Sequence, residues 1–195
     1  MKLITWTLLG MLIVCQPVMA ENENIIPAQE LLKKNLAAVV EVLQKKDLSQ
    51  ETKKQDIVDI VSPMFDFALM AKLTLGRKYW PDLQAEQQEK FTQLFIRRLR
   101  ATYLDSLTLY TDEKIFFEPP VEVKQKVHIP TYLLSKDKKI TILYKFYESE
   151  KNWRIYDLEI QGVSLIRSYQ SQFHQILQTE TFEDLLAKME KPAEK

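Results

Sequence analysis

Apolar residues along this chain of 195 recur at three- to four-residue spacing, then at every second position, then at three to four again. After Pro27, Leu31, Leu32, Leu36, Val39, Val40 and Leu43 share one helical face and predict a helix to about Lys46. A second helix, from about Ser49 to Val61, presents Ile57, Ile60 and Val61 and ends before Pro63. Phe65-Asp66-Phe67 leads a third to Leu75, where Gly76 stops it in the manner of a C-cap. The longest predicted helix covers roughly Gln84 to Tyr110, with Phe91, Leu94, Phe95, Leu99 and Tyr103 on one face.

At Lys114 the period becomes two. Val121, Val123, Val127 and Ile129 alternate with Glu122, Lys124, Lys126 and His128; Ile140, Ile142, Tyr144 and Phe146 then repeat the pattern. Lys136-Asp137-Lys138 and the stretch from Ser149 to Asn152 supply turns, and Trp153 to Ile160 forms the last strand. Gly162 ends the sheet; a helix from about Ser164 to Gln178 and a short one with Phe182, Leu185, Leu186 and Met189 complete the chain. The expectation is an α+β fold: an antiparallel sheet of three strands, or four with Lys114 to Phe117, and helices packed on one face.

The N-terminus breaks this pattern. Lys2 precedes an apolar run from Leu3 to Val14; Pro17 follows, and Val18-Met19-Ala20 puts small residues where a signal peptidase would cut. The run is short of the ~20 apolar residues that span a bilayer. Residues 1–20 are therefore expected to be a cleaved signal peptide, and residues 21–195 one soluble domain. Val14, bulky and β-branched, stands directly before Cys15 and argues against processing as a lipoprotein. Cleavage would leave a chain without cysteine, hence without disulfide or thiolate chemistry.

Charge narrows the function further. Lysine and arginine number 27, as do aspartate and glutamate, and loss of Lys2 leaves one net negative charge. Nucleic acid, which calls for a concentrated basic surface, is not the expected partner. Three glycines leave little for phosphate-cradling loops. No catalytic group has an evident partner: His128 alternates outward with lysines, and His174 sits among Gln172, Gln175 and Gln178, both expected to be solvated. Asp66, between two phenylalanines at a helix start, and Asp157, among apolar strand residues, are expected to cap or hydrogen-bond, with no catalytic role. Neither a catalyst, a metal nor a cofactor is expected.

What remains is the apolar inventory on opposed elements, which an ordinary core and a lined cavity would both need. Order of motifs separates them. The run from Phe65 to Trp80, then Gln88 to Phe95 with Leu99 and Tyr103, then Trp153-Arg154-Ile155-Tyr156-Asp157, then Gly162-Val163-Ser164-Leu165 with Tyr169, Gln172 and Phe173, resembles the MlaC family over nearly all the chain after residue 20. Gln170 departs from it, arginine being frequent there. These are periplasmic phospholipid-binding components of ABC transporters, also called toluene-tolerance auxiliary proteins. The resemblance implies a monomeric carrier in the periplasm that encloses acyl chains in an apolar cavity between sheet and helices. The lining it implies is Phe67, Met70, Phe91, Phe95, Leu99, Tyr103, Ile142, Tyr144, Phe146, Val163, Leu165, Tyr169 and Phe173.

Its implied partners are phospholipid as cargo, an outer-membrane lipoprotein complex, and an inner-membrane ABC transporter with its substrate-binding membrane subunit, the whole maintaining outer-membrane lipid asymmetry. Arg77, Lys78 and the group Arg97, Arg98 and Arg100 could meet lipid phosphate or acidic partners, although lone charges are more often just solvated. The alternatives are a carrier of a hopanoid or another hydrophobic lipid, a small cavity-containing enzyme, and a protein-binding module with a solid core.

Overall fold

The computed structural model describes residues 25–107, 114–135, 138–150 and 152–191. The predicted signal peptide, the last residues of the predicted long helix and the Lys136-Asp137 turn lie outside them. Four helices come first: α1 (Ile25–Gln44), α2 (Gln50–Val61), α3 (Phe67–Tyr79) and α4 (Ala85–Leu107). Six strands follow: β1 (Lys114–Phe117), β2 (Val121–Val123), β3 (Lys126–Ser135), β4 (Lys138–Ser149), β5 (Asn152–Ile160) and β6 (Val163–Ser164). Helices α5 (Leu165–Ile176) and α6 (Phe182–Glu190) close the chain.

All strand pairs are antiparallel, in the order β1-β3-β4-β5-β6, with β2 also on β3. The α+β class is as expected; the strand count is six, not three to four. The difference arises at two places. Val121 to Ile129 is not one strand, because the chain turns at Lys124, whose φ is +61°, and pairs Val123 with Lys126. Neither Lys124 nor Gln125 carries a hairpin signature, and the alternation continues through them in sequence, although the turn puts Val121 and Val123 on the opposite sheet face from Val127 and Ile129. At the other end, Gln161 and Gly162 both take positive φ, as a tight hairpin requires, and fold Val163-Ser164 back as β6.

Strands β1 and β2 are two halves of one edge. Phe117 faces Thr131 and Val121 faces His128, so Glu118, Pro119 and Pro120 stand opposite only Ile129 and Pro130. The Pro130 carbonyl accepts from the Glu118 amide at 3.0 Å. Its ring nitrogen, which has no hydrogen to donate, points the same way and falls at this break, where the ladder can spare a bond.

The inner sheet face carries Val127, Ile129, Tyr144, Phe146 and Ile155, and α1 covers it with Ala28 and Leu32. A second core lies among the helices, where Met70, Ala71 and Leu75 of α3 meet Phe91, Leu94, Phe95 and Leu99 of α4. Leu165, Ile166, Tyr169 and Phe173 of α5 and Leu185, Leu186 and Met189 of α6 complete it.

Two carboxylates tie the helices to β5. Asp66 caps α3 by accepting from the Leu69 amide at 2.8 Å; it also accepts from the Tyr147 hydroxyl, and its own amide donates to the Ile155 carbonyl. Asp157 is buried at the start of α5, accepting from the Ser164 hydroxyl (2.8 Å), the Ile166 amide (3.2 Å) and Lys145 Nζ (3.0 Å). A bulge sets up the second tie. Tyr156 has no partner on β4, so Ile155 pairs with Phe146 while Asp157, two residues on, pairs with Lys145 on the opposite face.

Lys145 also reaches Glu159 at 2.8 Å. Replacing Asp157 by alanine is expected to cost about 3 kcal/mol in urea unfolding, the low end for breaking a buried pair because Glu159 still holds the lysine. A cost under about 1 kcal/mol would mean the tie is incidental. The hydrogen bond from Lys145 holds the Glu159 carboxyl below its usual 4.5. Burial alone would lower the Lys145 pKa, but bonds to Glu159 and Asp157 outweigh it and raise it above 10.5. The cluster therefore stabilises the fold between those two values. Its contribution should fall as pH drops below the ordinary carboxylate range, and again as pH rises above the ordinary lysine range. Unfolding of the wild type and a Lys145→Met variant across pH would show it, the variant lacking the alkaline fall.

Candidate functional site

The two cores meet along a seam, and Phe65 and Leu158 pack against both. On one side of it Ile160 packs on the helical core; across the β4–β5 ladder its partner Ile142 packs on the sheet core. Tyr103 leans in from α4 and is half-buried. Further along the inner face, Ile115, Leu133 and Ile140 stand in register across β1, β3 and β4. All three are only partly buried and belong to neither core. With Phe117, Ile142 and Ile160 they form an apolar strip that the described helices leave partly uncovered.

Helix pair α3–α5 forms one wall of the seam. α3 leaves helical geometry at Gly76 (φ +66°, ψ −169°), freeing carbonyls that α5 then satisfies. Gln170 Nε2 donates to the Leu73 carbonyl at 3.2 Å, and His174 Nε2 to the Leu75 carbonyl at 2.9 Å. His174 is therefore not the solvated residue expected from its glutamine neighbours. The break in α3 creates the acceptor it binds, and its ring also meets Tyr79 edge-on. Gln170 fills the polar role at the position where the resemblance had favoured arginine. His128 is likewise engaged, 3.2 Å from the Tyr156 hydroxyl; burial, then Lys145 and Lys126, lower its pKa.

The electrostatics of the seam are those of an apolar site. Burial, then Tyr169, pushes the Tyr103 phenol up, and burial alone does so for Tyr144. No group of three or more His, Cys, Asp or Glu among the described residues could hold a metal, and no helix among them is long and apolar enough to cross a membrane. The arrangement offers a surface for hydrocarbon.

Residues 33–191 match the family model of the MlaC protein. The chain belongs to the MlaC family. A curated relative, the intermembrane phospholipid transport system binding protein MlaC of Haemophilus influenzae, is 27% identical over 121 residues, 59% of this chain. The match takes in 56% of that relative, so the chain spans little more than half its length. The fold is also that of a phospholipid-binding protein from Ralstonia solanacearum solved in complex with a phospholipid. Its TM-score is 0.74 at 22% identity, covering 83% of this chain and 94% of that one.

In this MlaC-family chain the residues expected to line a cavity divide between the two cores. Met70, Phe91, Phe95, Leu99, Leu165, Tyr169 and Phe173 are buried among the helices, with Phe67 and Tyr103 partly buried beside them. Phe91 and Phe95 stack and meet Phe173 and Tyr169 edge-on. Tyr144 and Phe146 are buried in the sheet core, with Ile142 at its margin. Val163 stands apart on β6, 58% exposed. Of these residues, Ile142 and Tyr103 border the seam. Ile115, Leu133 and Ile160 border the same strip and were not singled out. Leu133 lies beyond Ile129, where the sequence alternation ends, and Ile115 falls in the four-residue stretch Lys114 to Phe117, too short to show a clear face.

Gly76 is the one position where the α3–α5 wall depends on glycine. Its φ and ψ lie in a region essentially closed to other residues, and an added Cβ would sit 3.1 Å from Gln170 Nε2. Gly76→Ala should lower stability by about 2 kcal/mol in chemical denaturation, within the ~1–3 expected for that backbone strain. An unchanged midpoint would mean that α3 can close over the break.

Proposed function

We propose that this chain is a non-enzymatic phospholipid carrier that lays acyl chains along the inner-face strip and keeps the head group near solvent. The observation carrying this reading is the strip itself. An apolar sheet surface lies next to a packed helical core without being closed by it, in a chain whose family and fold match proteins named for phospholipid binding. Carrying ~30 acyl methylenes through water costs on the order of 25 kcal/mol at roughly 0.8 each, so hydrocarbon needs such an enclosure to move between membranes. Residues 1–20 act as a cleaved export signal, and the remaining domain works as a free monomer in the periplasm. It exchanges lipid with an outer-membrane lipoprotein complex and with an inner-membrane ABC transporter through its substrate-binding subunit, which maintains outer-membrane asymmetry. Lining residues move apart on loading, the helical core separating from the sheet along the seam.

Protein purified from a bacterial periplasm should yield phospholipid on organic extraction, near one per chain by mass spectrometry. Protein that is lipid-free and takes up none from vesicles would contradict the reading. Ile142→Asp should reduce bound lipid severalfold with a modest shift in Tm, because Ile142 borders the strip and is not a core centre. Equal loss of lipid and of fold would favour a plain core.

A further inference from the structure

The outer face of the sheet has a composition of its own. Five large apolar side chains are exposed among the described residues. Three of them, Val121 (52%), Val123 (40%) and Leu134 (46%), are on the β1–β2–β3 half of this face. Phe116 and Tyr132 lie between them in register and stack, ring centroids 4.8 Å apart. Lys139 of β4 stands 4.0 Å over the Tyr132 ring of β3, and Lys126 of β3 lies 4.1 Å over the Tyr156 ring of β5, across β4. Lys114 and Lys124 are exposed at the two ends of the same edge. Among the described residues of this half-face one carboxylate stands against these four lysines, Glu118, 3.5 Å from Lys139. The described residues of the half-face are thus net positive on a chain whose charges balance, while Asp157 and Glu159 lie on β5 and bond Lys145.

Both apolar cores draw on the inner face and the helices, so neither explains this side. Lysines interleaved with tyrosine and with aliphatic tips match the border of a lipid bilayer. There, aromatic rings rest at head-group level and each basic residue gains from anionic lipid. The protruding valines and leucine fit a surface that accepts hydrocarbon at shallow depth, and the lysines around them fit an anionic one. We propose that the β1–β2–β3 half of the outer sheet face docks the protein on anionic bilayer surfaces. None of these residues borders the inner strip, so the docking face and the cargo site are separable.

Flotation of the intact mature protein with phosphatidylglycerol vesicles, and with phosphatidylcholine vesicles as the uncharged control, tests this. Binding should favour phosphatidylglycerol and weaken with added salt. The double variant Lys124→Glu/Lys126→Glu should lose at least tenfold in affinity, from about fivefold for each lysine charge removed. Val121→Ser/Val123→Ser should weaken binding at high salt as well as low. The control Lys45→Glu/Lys46→Glu, just after α1, should leave binding unchanged. No preference for phosphatidylglycerol, or loss in the Lys45/Lys46 control equal to that in the Lys124/Lys126 variant, would overturn the proposal. So would binding that appears only after an acidic protein is added. Lipid extracted from the Lys124/Lys126 variant should match the wild type, so failure of docking and failure of the carrier reading are read separately.

Discussion

The helical layer is fastened to the sheet along one strand, and the shape of the candidate site follows from that. Asp66 and Asp157 each cap a helix start and each hold β5 or a strand beside it. A carboxylate is suited to both roles at once, since it accepts several hydrogen bonds and favours the positive end of a helix. Because α3 and α5 are bonded to each other through Gln170 and His174, two ties serve for the pair. Fixation at β5 leaves the β1–β3–β4 end of the inner face without a comparable anchor, and there Ile115, Leu133 and Ile140 are incompletely covered.

Two faces of one sheet then take on different chemistry. Alternation puts Ile129, Leu133, Ile140 and Ile142 inward and Lys126, Tyr132 and Lys139 outward, a direct consequence of the two-residue period. Breaks in that period occur where function or topology requires them. The bulge at Tyr156 turns Asp157 toward Lys145, and the Glu118-Pro119-Pro120 interruption splits the edge strand. Each break costs ladder hydrogen bonds, and each is used: one for an anchor, the other to let Pro130 sit inside a sheet.

Much of this was legible in the chain itself. Helical spacing located all six helices, and Gly76 was recognisable as the end of regular helix in α3 because few other residues tolerate its backbone. Asp66 and Asp157 could be read as bonding groups from their apolar neighbours. What escaped reading has physical causes. Lys124 turns the chain without a turn signature, and the small residue count of β6 gives it no period to detect. His174 bonds an acceptor created by a break elsewhere in the fold, which no local pattern reveals. The candidate lining was harder still. Core and cavity residues share the same periodicity, so Phe91 and Phe95, at the centre of the helical core, could not be told from Ile142 at the open margin of the sheet core.

On this account the acyl chains of the carried lipid lie on the inner-face strip and not on the outer face of the sheet. Methyl-labelled protein loaded with phospholipid would test it most directly, through nuclear Overhauser contacts between acyl methylene protons and protein methyls. Contacts are predicted at Ile142, Ile160 and Leu133, with none from a bound cargo molecule at Val121 or Val123. Acyl contacts confined to the outer-face valines, or none at the three inner residues in lipid-loaded protein, would contradict the account.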